Sequence, residues 1–382
     1  ENAIKARGMQ ILVSAAAGSG KTSVLTERVK NILSDTQNPC SVSELLVVTF
    51  TRAAAGEMRD RIYKALKETA DSGNNVNYLR EQMASLPLAD ICTMDSFCQK
   101  LVKENFTKAD VSVDYSVLDD KDLSEMTNDA IEEVINKLYE ENDDSFIKLT
   151  SMFLSERDDS RLGEIVHSLY KDSRSYPSPK LWLESVVDSF SEDKTPNDTV
   201  WADIIYKDIR LFADFHHKRL LKAVSLLEES GGFNPNFVNK FIVNAERLQQ
   251  LIECIDKRNW DTMVSMIREG IFFTCDGKNT KVNNYIKDLA MEAFKVYKAD
   301  LESIEALDLP TEAEHKADSL KLKPIIKKLC DAVIMLEETL DEMKKERNAY
   351  AFDDILHKCI DLLVTFDEDG NAQKTELAIE LT

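Results

Sequence analysis

Apolar positions along the chain change their period near residue 119. Before that point, short apolar runs alternate with amphipathic stretches. Gln10–Ser14 (QILVS), Glu44–Phe50 (ELLVVTF) and Ala89–Met94 are compact, rich in β-preferring residues and read as buried strands. The segments between them carry helical spacing. Ser23–Leu33 predicts one helix, Arg52–Glu68 a second with Thr51 as its cap, and Ser96–Phe106 a third with Asp95 as its cap. Ser34–Ser43, with Pro39, and the polar stretch Asp71–Asn77 read as loops. Strands separated by helices predict an α/β fold with a parallel sheet.

Beyond Asp119 the 3.6-residue period dominates. In 122–140 the apolar positions are Leu123, Met126, Ala130, Val134 and Leu138. Similar patterns fill 161–172, 198–229, 236–255, 283–307 and 320–348, with breaks at Ser175–Ser178, Gly231–Asn236, Asp276–Asn279 and Leu309–Thr311. This predicts a large all-α insertion over 118–345, framed by 1–117 and 346–382. At the end, Tyr350–Ile355 opens a helix and Val364–Gly370 reads as a turn. Lys374–Thr382 starts a further helical pattern, so the chain is expected to be part of a longer protein.

The first predicted strand runs into Ala15, Ala16, Ala17, Gly18, Ser19 and Gly20, then Lys21, Thr22 and Ser23 at the start of a helix. Strand, small-residue loop, Lys-Thr and helix is the layout of a phosphate-binding P-loop. Small residues let backbone N–H groups close on phosphate oxygens, and the helix N-terminus adds partial positive charge. Lys21 is placed to reach the outer phosphates of ATP, and the Thr22 hydroxyl is the candidate Mg²⁺ ligand. Ala15 stands where the strict pattern has Gly, while Gly18-x-Gly20-Lys21-Thr22 is intact. A chance Gly/Ala-rich turn is the bland alternative.

Charge modifies this picture. The formal net charge is −21, which taken alone opposes a nucleic-acid partner. Residues 1–110, however, hold 14 Lys+Arg and 13 Asp+Glu, so the acidity lies in the helical remainder. Groove binding depends on local charge. The seven cysteines have no ligand or disulfide spacing, which predicts free thiols and a cytoplasmic protein. No transmembrane run and no secretory leader are expected, and therefore no membrane partner.

Two further blocks end predicted strands: Thr49-Phe50-Thr51-Arg52-Ala53-Ala54-Ala55-Gly56-Glu57-Met58-Arg59-x-Arg61, and Ile91-Cys92-Thr93-Met94-Asp95-Ser96-Phe97-Cys98. That edge of an open parallel sheet is where ligands bind. With AAAGSGKT they resemble the opening of the UvrD/Rep-type superfamily-1 helicases, and most nearly the AddA helicase–nuclease subunits. Tyr176-Pro177-Ser178-Pro179-x-Leu181-Trp182-Leu183 adds a local likeness within the helical stretch.

The resemblance implies a P-loop NTPase (RecA-like) sheet with helices on both faces. It implies ATP·Mg²⁺ held by 15–23 and ATP-driven 3′→5′ translocation on single-stranded DNA in double-strand-break repair. Expected partners are single-stranded and end-containing double-stranded DNA and an AddB-like second subunit. It makes Thr49, Phe50, Thr51 and Arg52 candidate DNA contacts, with Thr93 and Ser96 as further ones. Phe50 offers a base a stacking face worth roughly 1–3 kcal/mol; the alternative is a core residue closing its strand. Arg52 replaces the family's usual Asn, and Asp95 its usual His. Arg59 and Arg61 read as surface charges on their helix.

A helicase also needs a carboxylate pair on Mg²⁺. Phe352-Asp353-Asp354 resembles the element that precedes that strand, and helix capping accounts for these acids equally well. Leu362–Glu368 lacks the family's Gln-Asp and is set aside. With no such pair in the sequence, weak nucleotide binding and almost no turnover are expected of these residues alone. Two other readings stay open: a P-loop kinase or signalling NTPase, against which the TFT block speaks, and a helical scaffold that docks a partner.

Overall fold

The computed structural model describes residues 2–8, 10–16, 18–35, 37–73, 75–153, 160–273, 283–367 and 370–381. The chain forms two compact units, Glu1–Asp129 with Thr339–Thr382 and Ala130–Glu338. These boundaries fall inside two long helices.

The first unit opens with α1 (Asn2–Lys5) and α2 (Lys21–Leu33), followed by β1 (Leu46–Thr49), α3 (Arg52–Asp71) and α4 (Val76–Ser85). Then come β2 (Asp90–Thr93), α5 (Met94–Glu104) and β3 (Ser116–Val117). β1 and β2 pair in parallel, from Leu46↔Asp90 to Thr49↔Thr93. α3 makes the crossover. The Thr51 hydroxyl accepts the Ala54 N–H at 3.1 Å and caps it, as its sequence position predicts. Ala55, Met58, Ile62, Leu66 and Ala70 recur every three or four residues and form its buried stripe. They share one core with Val47 of β1 and Ile91 of β2.

Four expectations are corrected here. Gln10–Ser14 is neither a strand nor buried: the run is irregular and Leu12 is 96% exposed. An apolar run becomes a strand only with a ladder partner, and among the described residues none pairs with it. The cap of α5 is Thr93, whose hydroxyl accepts the Ser96 N–H, and Asp95 lies in the first turn. Arg59 is no free surface charge, since its Nη2 donates to the Ile91 carbonyl at 3.0 Å and ties α3 to β2. Arg61 does stay outside, paired with Glu57 one turn back.

The fourth correction concerns the end of the chain. After α6 (Asp120–Glu141) come α7 (Asp144–Phe153), α8 (Ser160–Ser173), α9 (Pro179–Asp188) and α10 (Ala202–Ser230). α11 (Pro235–Asp256), α12 (Trp260–Glu269), α13 (Asn284–Glu305) and α14 (Glu312–Arg347) follow. The chain then re-enters the first unit through β4 (Ala349–Tyr350) and α15 (Phe352–Leu363), and closes with β5 (Val364–Phe366), β6 (Ala372–Lys374) and α16 (Glu376–Glu380). β5 and β6 form an antiparallel hairpin where a turn was expected. β-branched and aromatic Val364, Thr365 and Phe366 suit a strand, but their polar partner Ala372–Lys374 gives no strand signal of its own.

β3 and β4 pair in parallel, so residues 116–117 and 349–350 lie side by side although the helical stretch separates them in sequence. Tyr115 and Tyr350 meet edge to face there, in a core that adds Leu101 and Val102 of α5 and Ile355 and Leu362 of α15. Cys98 and Cys359 share a hydrogen bond in it, and burial pushes the Cys359 thiol up to about 12. The six described cysteines are free, and Cys275 lies outside the described residues. The strands described make three two-stranded sheets, not one continuous sheet.

In the second unit, Trp260, Phe241, Phe294 and Tyr297 anchor one core between α10, α11, α12 and α13. The Trp260 indole donates to the Pro310 carbonyl at 2.7 Å and the Tyr297 hydroxyl to the Ile271 carbonyl at 3.1 Å. Each buried polar tip is therefore satisfied. The predicted breaks at 231–236 and 309–311 are loops, while Asp276–Asn279 lies outside the described residues. α7, α9 and α12, ten residues each, were too short for the period to single out. No helix among the described residues is long and apolar enough to cross a membrane.

The start of α14 provides an acid-sensitive contact. Glu314 accepts both guanidinium branches of Arg268, at 3.0 and 2.7 Å, and the Thr311 N–H at 2.8 Å. The Arg268 bond, then the Thr311 bonds, hold its carboxyl at about 2, below the ordinary 4.5. A depressed carboxyl contributes its full stability above its unfolded value and loses it as pH falls toward the folded one. The melting temperature is expected to drop between pH 4.5 and about 2, less steeply in Glu314→Gln. Equal slopes in melts recorded by circular dichroism would show that this contact contributes nothing.

Candidate nucleotide cradle and strand-end platform

The loop before α2 is built around two glycines. Gly18 has φ 76° and Gly20 φ 82°, in the left-handed region where a Cβ is strained. No other heavy atom stands within 4 Å of where either Cβ would lie, so backbone conformation, not crowding, demands glycine. Gly20 is the N-cap of α2 and brings no side chain to cover the first-turn amides; the first turn holds no acidic residue. Uncovered amides at a helix N-terminus, together with its dipole, attract an anion. The Ser19 N–H donates to the Ala16 carbonyl at 3.3 Å and closes the turn.

Lys21 folds back over this loop. Its Nζ lies 2.8 Å from the Ala15 carbonyl and 3.0 Å from that of Ala16, which parks a full positive charge at the mouth of the cradle. Ala15, Ala16, Gly18, Ser19, Gly20, Lys21, Thr22 and Ser23 are all exposed, and Ala17 lies outside the described residues. Beside the cradle lies a cavity of about 550 Å³, lined by Ala3, Ile11, Val13, Lys21, Leu25 and Arg28 among others. A drug-sized ligand fits a volume of this order. Ile11 and Val13, expected inside a sheet, thus form the apolar wall of this cavity. Arg28 donates from Nη1 to the Ala3 carbonyl at 2.9 Å and fixes α1 as the opposite side.

The chemistry of the donors fits a nucleotide: amides and an ammonium for phosphates, an apolar wall for the rest. Among the described residues no cluster of His, Cys, Asp and Glu is placed to hold a metal ion alone. The Thr22 hydroxyl, on the exposed first turn, is suited to share one with phosphate oxygens.

The predicted strand-end residues divide into two groups. Thr49 donates its hydroxyl to the Thr51 carbonyl at 2.9 Å, and Thr51 caps α3. Thr93 is buried, with its hydroxyl 2.9 Å from that of Ser96. These four hydroxyls are engaged by their own loops. Phe50 and Arg52 are not: Arg52 is exposed, and Phe50 is fully so at 105%. Phe50 is therefore no core residue closing its strand.

Sequence reasoning missed Met94, half exposed one residue past the Thr49↔Thr93 pair. The signal was present in the period of two: Leu46, Val48 and Phe50 share a face with Asp90, Cys92 and Met94. Asp354 is structural, since its Oδ2 accepts the Ala351 N–H at 2.8 Å and its Oδ1 pairs with Lys344. Asp367 accepts the Asn371 N–H within its turn, and Glu368 lies outside the described residues.

Comparison with known proteins follows the same lines. The sequence profile of the UvrD/REP helicase N-terminal domain matches residues 1–378. The chain is 32% identical over 385 residues to the AddA-type ATP-dependent helicase/nuclease of Thermoanaerobacter sp. (strain X514), covering 99% of this chain and 31% of that protein. It is 30% identical over 389 residues to the protein of the same name from Clostridioides difficile (strain 630), covering 98% and 30%. The chain spans about a third of the length of these curated relatives.

Proposed function

We propose, because the chain belongs to the UvrD/REP helicase N-terminal domain family, that it is the nucleotide-binding part of a DNA motor. The whole protein is then an AddA-like helicase/nuclease. It translocates 3′→5′ on single-stranded DNA in double-strand-break repair, in the cytoplasm, beside an AddB-like partner and at DNA ends. In this reading residues 1–117 and 346–382 belong to a RecA-like motor domain, and 118–345 are its helical insertion.

The observation that carries the proposal is the open cradle at the start of α2, with a charged lysine at its mouth. The amides of 18–21 hold phosphate oxygens, Lys21 neutralises the outer phosphates, and Thr22 shares Mg²⁺. The bound nucleotide supplies the phosphoanhydride whose hydrolysis drives the motor. Phe50 and Arg52 present an apolar face and a cation where a strand of DNA passes.

The test is a pair of titrations on the 382-residue chain. A fluorescent ATP analogue is expected to bind saturably, more weakly once EDTA removes Mg²⁺, and labelled oligo-dT is expected to bind independently. Nucleotide binding without any affinity for the oligonucleotide would favour a kinase or signalling NTPase. Failure of both would remove the motor reading.

A further inference from the structure

The third sequence block was expected to contact DNA through Thr93 and Ser96. Their hydroxyls instead lie 2.9 Å apart at the cap of α5, with Thr93 buried. What the block exposes at the sheet edge is Met94, at 50%. In the parallel register Met94 is to Thr93 what Phe50 is to Thr49, and the two strands run about 4.8 Å apart. Two large apolar side chains thus leave adjacent strands at the same edge, on the sheet face opposite Val47 and Ile91.

We propose that Met94 is a second base-contacting residue, which with Phe50 holds one unstacked base of a single strand. The inference rests on the single-strand reading above and deepens it. Met94 suits the part, being unbranched and polarizable, and methionine is among the apolar side chains that wedge against bases. The charges around it point to a base and not a phosphate. Asp95 is exposed next to Met94 and repels a phosphodiester, whereas an uncharged base is tolerated there. Arg52, exposed on the Phe50 side, is where the backbone gains a cation. The strand is accordingly oriented with its bases over Phe50 and Met94 and its phosphates toward Arg52.

The experiment measures anisotropy of labelled oligo-dT, and of an abasic strand of equal length, with the wild-type chain, Phe50→Ala, Met94→Ala, Met94→Leu and the double alanine variant. Met94→Ala is expected to weaken oligo-dT binding about fivefold, the low end of a base contact, and to leave abasic-strand binding unchanged. Met94→Leu keeps the apolar bulk and is expected within about twofold of wild type. Because both residues touch one base, the double variant loses less than the product of the single losses. If Phe50→Ala weakens oligo-dT and Met94→Ala does not, Met94 is no contact, while the single-strand reading stands. Equal weakening on both strands also overturns the proposal, since no base is then being sensed. No binding by the wild type sinks the single-strand reading and this inference with it.

Discussion

Replacing Lys21 by alanine is expected to weaken binding of Mg·ATP roughly 10- to 150-fold, as one hydrogen bond to a charged group contributes about 1.5–3 kcal/mol. The ammonium is already positioned: both of its close partners, the Ala15 and Ala16 carbonyls, belong to the loop that it spans. Its charge therefore meets the ligand without a search through side-chain conformers. The side chain is exposed, so its removal opens no cavity and the melting temperature should hold. Titration of the variant with the fluorescent analogue, next to a melt, separates the two effects. Unchanged affinity in a folded variant would move the phosphate site away from this loop. The amides of the cradle remain in the variant, which is why some residual binding is expected.

Lys344→Met is expected to lower the melting temperature by roughly 6–20 °C. Lys344 and Asp354 form an ion pair at 2.8 Å, with side-chain exposures of only 1% and 6%. Stripping one partner from a buried pair typically costs about 3–5 kcal/mol, because the other charge is left desolvated. Each kcal/mol moves the midpoint of a domain of 150–250 residues by about 2–4 °C. Asp354 also accepts the Ala351 N–H, so the loss reaches the N-terminus of α15 and the core that it shares with α5. The double variant Lys344→Met, Asp354→Asn removes both charges and keeps an acceptor for that N–H. It should recover part of the loss. If both variants melt with the wild type, the pair contributes nothing net.

Much of this protein was legible in its sequence for reasons that are local. The apolar spacing from Met126 to Leu138 is helical, and all four of its positions from Met126 on are fully buried. Thr51 caps α3 because a hydroxyl there meets the amide three residues on. Gly18 and Gly20 take the left-handed conformations that a phosphate loop demands, and only their own backbone enters that requirement. The same applies to the carboxylate of Asp354, which caps within three residues of itself.

Other features depended on partners far along the chain, and no period reveals those. The run Gln10–Ser14 has a strand's composition, but without a ladder neighbour it lines a cavity instead. Arg59 looked like any charged helix residue until the fold brought the Ile91 carbonyl to it, 32 residues away. Thr93 and Ser96 carry the polar groups that a DNA contact calls for, yet the turn into α5 spends those groups on itself and leaves Met94 outside. The sequence by itself determined the cradle, the caps and the helical stripes, because each is set by residues within a turn or two of one another. Tertiary structure alone decided which apolar runs pair, which hydroxyls turn inward and which charges meet in the core, since burial and pairing are settled only when distant segments close on one another.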